Sequence, residues 1–181
     1  GEPVQAVSFY EAADSLKKDS TFADKGGTYL GEFYANETAV EHVQSHWVNK
    51  FGSSVDSVRV GESLLLKISF RVPQRMRNLI VGIPVWSADG RLVTHLSSEQ
   101  MRFAIPSEAN STCCLEVTVP QMVLSPGRYK TVIAIVDGPE YLYRWPGPEL
   151  VVEAGAHAIY VGDFVIEHHW SISNAKGAVE L

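Results

Sequence analysis

Trp86, Tyr141, Tyr143 and Trp145 are the residues whose chemistry stands out in this chain. Indole and phenol rings left outside a core lie flat against the C–H faces of sugars, and polar groups beside them engage the hydroxyls. Three of these rings fall within the run Tyr141-Leu142-Tyr143-Arg144-Trp145-Pro146-Gly147, which reads as a loop where they are hard to bury together. Trp86 ends a stretch in which Leu79, Val81, Ile83 and Val85 point one way and Ile80, Gly82, Pro84 and Trp86 the other. Small residues leading to an exposed Trp leave room for a flat ligand. His95 returns towards Trp86 from the turn at Gly90, Lys130 alternates away from Tyr129, and Arg144 sits among the rings. These three are the candidate polar contacts. The same rings read equally as a plug at one end of the fold or as a dimer interface.

Other chemistries find less support. The chain has no GxxxxGK[ST] phosphate loop, no GxSxG elbow and no HExxH. Cys113 and Cys114 lack the CxxC spacing of a zinc site, and adjacent cysteines rarely bridge each other. Two free thiols fit a reducing compartment, so a cytoplasmic location is expected. On a helix, His42 and His46 would share a face and could hold a metal, whereas His168 and His169, beside Glu167, would point to opposite faces of a strand. Surface histidines are the plainer reading, and no metal or cofactor is expected. Asp89, Glu99, Asp137 and Glu140 lie in or near loops and could supply a hydrolytic pair, although turns account for Asp89-Gly90 and Asp137-Gly138 without it. Arg71, Arg75 and Arg77 form a small basic cluster, either a solvated loop or a contact for an anionic group on a ligand. A polysaccharide-acting or metal-dependent β-sandwich enzyme is therefore the rival to a binding module, and an adhesive module is a third reading.

The elements that must position these residues are mostly strands. In Leu64 to Val72, apolar Leu64, Leu66, Ile68, Phe70 and Val72 alternate with Leu65, Lys67, Ser69 and Arg71. Leu79–Trp86 and Arg91–Leu96 flank the turn Ala88-Asp89-Gly90, and Leu115, Val117 and Val119 alternate up to Pro120. Ser125-Pro126-Gly127 turns into Tyr129–Val136, and Leu150–Glu153, Tyr160–Glu167 and Ala178–Leu181 add further strands. Thr28–Tyr34 reads as a short strand, while Asn36–Trp47 reads either as a helix capped by Asn36 or Thr38 or as a long loop. Glu11–Lys18 has the composition of two helical turns. Residues 1–27 read as a linker or lead-in segment, consistent with a start at Gly1-Glu2-Pro3 without Met, and residues 28–181 as the folded domain. About eight or nine short strands, with no helix after residue 50, predict an all-β antiparallel β-sandwich of immunoglobulin or jelly-roll kind.

Composition agrees and narrows the partners. The 181 residues are 45% hydrophobic and 10% aromatic, which excludes disorder, and a net charge of -6 speaks against nucleic acid. No apolar run approaches the ~20 residues of a membrane-spanning helix.

The order and spacing of three segments resemble a known family. They are Val60-Gly61-Glu62-Ser63-Leu64-Leu65-Leu66-Lys67-Ile68, then Asn78-Leu79-Ile80-Val81-Gly82-Ile83-Pro84-Val85-Trp86 with Asp89-Gly90, then Leu124-Ser125-Pro126-Gly127-Arg128-Tyr129. Over about residues 55–155 the chain resembles the C-terminal carbohydrate-binding domain of Wzt, the ATPase subunit of ABC exporters of lipopolysaccharide O-antigen. The resemblance implies a non-catalytic β-sandwich that binds O-antigen polysaccharide, its non-reducing end in particular, and gives the exporter specificity. It also implies a homodimer with exchange of a C-terminal strand, covalent linkage to an ABC ATPase domain and, through it, contact with the transmembrane subunit at the inner face of the inner membrane. The family has no fixed catalytic motif to carry over, so the candidate contacts remain the seven residues named above.

Overall fold

Alternation builds this molecule. A computed structural model describes residues 33–155 and 162–165. The chain forms β1 (Tyr34–Ala35), β2 (Glu41–Val48), β3 (Ser54–Val55), β4 (Ser57–Arg59), β5 (Leu64–Val72), β6 (Leu79–Ser87), β7 (Leu92–Ser97), β8 (Ser111–Val119), β9 (Gly127–Asp137), β10 (Glu140–Pro146) and β11 (Leu150–Glu153). In β5 every odd position of the pattern is buried, from Leu64 to Val72, and every even one is half-exposed. Leu79, Val81, Ile83 and Val85 of β6 face them from the other sheet, as do Tyr129, Ile133 and Ile135 of β9. Each such side chain contributes roughly 1.5–3 kcal/mol by leaving water.

The smaller sheet runs β3-β2-β5-β8 and is antiparallel throughout. In the larger sheet, β7 pairs with β6 and β6 with β9. The far edge of β9 is shared, with β10 along its second half and β11 along its start. Beyond these lie β1, antiparallel to β10, and β4, parallel to β11. The fold is thus the expected all-β sandwich.

Two segments differ from expectation. Asn36–Trp47 is neither helix nor loop. The Asn36 carboxamide accepts from the Thr38 N–H and hydroxyl, closing a single turn, and the chain then enters β2. His42 and His46 are consequently both exposed on a strand rather than stacked on a helix face. The aromatic run from Tyr141 to Trp145 is likewise a strand, β10, not a loop. The readings for residues 1–27, for most of Thr28–Tyr34 and for Ala178–Leu181 lie outside the described residues. Of Tyr160–Glu167, residues 162–165 are described, and Phe164 bridges to Leu124 in antiparallel fashion. His168 and His169 also lie outside. Among the described residues no helix is long and apolar enough to cross a membrane.

A buried tyrosine locks the entry to β9. The Tyr129 hydroxyl donates to the carbonyl of Ser125, four residues upstream, at 2.7 Å, the tyrosine-corner arrangement of Greek-key sandwiches. Removing that donor strands a buried carbonyl. Tyr129→Phe is therefore expected to destabilise the domain by about 1–3 kcal/mol, read as a lower urea midpoint at unchanged m. An unchanged midpoint would show that the corner contributes nothing.

Candidate functional site

The face of the larger sheet that points away from the core is set by cross-strand register. Trp86 lies opposite Leu92 on one side and Lys130 on the other. Pro84 lies opposite His95. Gly82 stands between Ser97 and Ala134, and Ala134 lies opposite Arg144, which lies opposite Tyr34. Ile80 faces Val136, and Val136 faces Tyr141. One continuous face therefore carries five of the seven candidates: Trp86, His95, Lys130, Tyr141 and Arg144. The row from Ser97 to Tyr34 crosses five strands, about 19 Å at ~4.8 Å per gap.

Tyr143 and Trp145 are not on that face. Plain alternation from Tyr141 would have brought all three rings to one side. Between Tyr141 and Tyr143, however, the β9–β10 register shifts, and Leu142 becomes an extra residue buried in the core. One inserted residue reverses the facing of everything after it. Tyr143 accordingly pairs with Ile135 and packs against the core, where burial raises its phenol pKa. Trp145 pairs with Ile133 and emerges at the sandwich rim, 48% exposed, with Phe33 tilted against it at 5.7 Å between ring centres.

The bed of the face is apolar. Ile80, Val132 and Val136 are buried although they lie outside the inter-sheet core. Trp86 is half-buried rather than fully exposed, and its indole N–H is closed to solvent with no hydrogen-bond partner. The space above Gly82 is used by His95, because a Cβ added there would meet the imidazole Nε2 at 2.7 Å. Glycine is thus required at position 82 for close approach of the ring, not for an empty shelf. Burial holds the His95 pKa below its ordinary value, against an opposing pull from Glu99. Lys130, opposite Trp86, and Arg144, opposite Ala134, are both half-buried on this face.

Near Trp86 the β6–β7 turn is tied down. Gly90 takes a φ of 84°, the Ser87 hydroxyl donates to the Arg91 carbonyl at 3.0 Å and to the Asp89 carboxylate, and that hydrogen bond holds Asp89 below the usual carboxylate range. Arg91 grips both oxygens of Asp163, fastening residues 162–165 to the turn. Asp137 accepts from the backbone N–H groups of Arg77 and Asn78 at 3.0 and 2.6 Å. Both aspartates considered for hydrolysis are therefore engaged in building turns. Among the described residues no group of three His, Cys, Asp or Glu side chains could hold a metal ion. Cys113 is buried and Cys114 exposed, on opposite sides of β8. Of the arginine cluster, Arg71 binds Glu41 at 2.8 Å and Asn110 at 3.2 Å on the smaller sheet, whereas Arg75 and Arg77 are exposed in the β5–β6 connection.

Sequence reading missed Leu92, Ala134, Ser97 and Tyr34 as members of the face. No local pattern marks them, since what unites them is pairing between distant strands.

Comparison with known proteins places the fold. No curated protein matches the chain. A crystal structure of the C-terminal domain of Wzt superposes with a TM-score of 0.63 at 13% identity, over 78% of this chain and 87% of that one. A Pseudomonas fluorescens alkylpurine DNA glycosylase AlkC bound to abasic DNA gives a TM-score of 0.39 at 14% identity, over 62% of this chain and 30% of its own. A CARDB domain from Pyrococcus furiosus in complex with di-metal ions gives 0.39 at 12% identity, over 74% of this chain and all of its own. These last two likenesses are too slight to carry an argument. The family model for the Wzt C-terminal domain matches residues 39–146, more than half of the chain, in agreement with the resemblance read from its segments. The chain belongs to the Wzt C-terminal domain family.

Proposed function

We propose that this domain is the non-catalytic carbohydrate-binding module of an O-antigen ABC exporter, selecting the polysaccharide, through its non-reducing end, for export. Family membership supports the role. The single structural observation that carries it is the outward face of the larger sheet, where Trp86, flanked by Leu92 and Lys130, stands at one end of an apolar bed that also carries His95 and Arg144 along its length and Tyr141 at its far end. An indole with an aliphatic neighbour offers a stacking surface, and the polar heads around it bond sugar hydroxyls. Glycans whose hydroxyls do not meet these groups leave polar atoms unpaired and are rejected. Affinity for a few sugar units is expected in the millimolar to micromolar range, about 4–8 kcal/mol. A two-fold dimer, with a C-terminal strand exchanged between protomers, would add avidity for neighbouring chains. In this reading the module is linked to an ATPase domain, works beside the transmembrane subunit at the cytoplasmic face of the inner membrane, and needs no cofactor.

The two sides of β10 make the proposal testable. Trp86→Ala is expected to lower retention of the cognate O-polysaccharide by tenfold or more, about 1.4 kcal/mol, with the fold intact by circular dichroism. Trp145→Ala, on the rim, is expected to leave retention unchanged. Loss of retention in the second variant alone would move the site from the sheet face to the rim.

His95 enters this site as a neutral imidazole, and that has a pH signature. Its folded pKa is lowered, so the unfolded chain binds more protons at this position. Stability from His95 is then present above the ordinary value of 6.5 and lost as pH falls through it towards the folded value. The drop in urea midpoint between pH 7 and about pH 5 is expected to be smaller in His95→Gln than in the parent chain. An equal drop would mean that His95 is as readily protonated folded as unfolded.

A further inference from the structure

A second site adjoins this face. A pocket of about 320 Å³ opens at the start of β6, between the β5–β6 connection and the loop from β7 to β8. Its lining includes Arg77, Asn78, Ile80, Glu99, Arg102 and Phe103. Both walls are pinned. On one side Asp137 holds the backbone of Arg77 and Asn78. Across the pocket, the Met76 N–H donates to the Ser107 carbonyl and the Ser107 hydroxyl to the Met76 carbonyl, each at 3.1 Å. The Arg102 N–H donates to the Glu99 carbonyl at 2.9 Å and the Phe103 N–H to the Ser98 carbonyl at 2.8 Å. Arg102 itself sits at a φ of 53°, a left-handed conformation that disfavours a side chain and that recurs at ligand sites.

The two arginines of this pocket are unspent. Arg59, Arg71 and Arg91 each have a carboxylate partner, whereas neither Arg77 nor Arg102 is in an ion pair among the described residues. Two guanidinium groups against the one carboxylate of Glu99 leave a net single positive charge, suited to one anionic group. Phe103, 59% exposed, adds a flat apolar surface beside them. The pocket also joins the outward face, because Ile80 belongs to both and lies opposite Val136, whose other neighbour is Tyr141. From Trp86 to Ile80 along β6 is about 20 Å at ~3.3 Å per residue, room for several sugar units.

We infer that this pocket takes an acidic sugar unit, bearing a carboxylate or a phosphate ester, from the saccharide laid along β6. Arg77 and Arg102 hold the anion by charge-assisted hydrogen bonds, Asn78 bonds a neighbouring hydroxyl, and the Phe103 ring meets the sugar's apolar side. Glu99, the one negative charge of the lining, weakens the hold on any anion. The inference rests on the reading of the outward face as a saccharide platform, but its test does not. The ¹H–¹⁵N spectrum of the whole chain, arginine Nε–H signals included, is titrated with glucose 1-phosphate, galacturonate, glucose and inorganic phosphate. Both acidic sugars are expected to shift residues 99–107 and the Arg77 and Arg102 side chains, and glucose is not. Arg77→Gln with Arg102→Gln is expected to weaken this binding by roughly tenfold, and Glu99→Gln to strengthen it several-fold. Equal shifts with glucose, or no loss in the double arginine variant, would overturn the proposal. Inorganic phosphate matching glucose 1-phosphate would overturn the sugar assignment. Polysaccharide retained while acidic sugars move nothing removes this pocket and leaves the platform. Acidic sugars bound here while Trp86→Ala retains the polysaccharide does the reverse.

Discussion

The pairing of β6 with β9 is the constraint on which the rest depends. Its register, from Leu79 opposite Asp137 to Ser87 opposite Tyr129, decides two faces at once. On one side it aligns Val81 with Ile135 and Val85 with Thr131 against the smaller sheet. On the other it sets Ile80 beside Val136, Gly82 beside Ala134 and Trp86 beside Lys130. A slip of one residue would send the apolar set outward and bury the lysine, so the core enforces the outer face. The Tyr129 corner and the Asp137 contacts to the β5–β6 connection hold the two ends of β9 where that register needs them.

Irregularities then adjust what the register lays down. The shift at Leu142 gives the core an extra leucine, turns Tyr143 inward and leaves Arg144 on the outward face. A second shift, between Val85 and Trp86, brings Leu92 rather than Val93 opposite the indole, and Val93 packs against the core. Both bulges fall beside the proposed saccharide platform, where they re-aim side chains without breaking the sheet. The same logic places the acidic-sugar pocket. It forms where β6 begins, at a junction of two connections, so that a ligand following the strand leaves the apolar bed and meets guanidinium groups.

Much of the fold was legible along the chain because burial in a two-layer sandwich imposes a period of two. β5, β6, β9 and β11 all read out this way, as did the turns at Gly90 and Gly138. β2 was not legible because Ser45 occupies an inward position and only Val43 and Trp47 carry the apolar signal. β10 was not legible because its bulge puts Leu142 and Tyr143 on the same side and erases the alternation. The helix considered for His42 and His46 failed for the first of these reasons, and the looped aromatic cluster for the second.

Residue types and their order along the chain determined the all-β class, the main strands, the family and the presence of rings and cations suited to saccharides. These are local or short-period properties, readable wherever neighbouring residues share a constraint. Which rings stand together was decided only by the tertiary structure. Leu92, Trp86 and Lys130 become neighbours through pairings between strands far apart in sequence, His95 finds its place because Gly82 lacks a Cβ, and Trp145 leaves the face because of one extra residue in β10. Each of these turns on register, and register is a property of pairs of strands that no single segment contains.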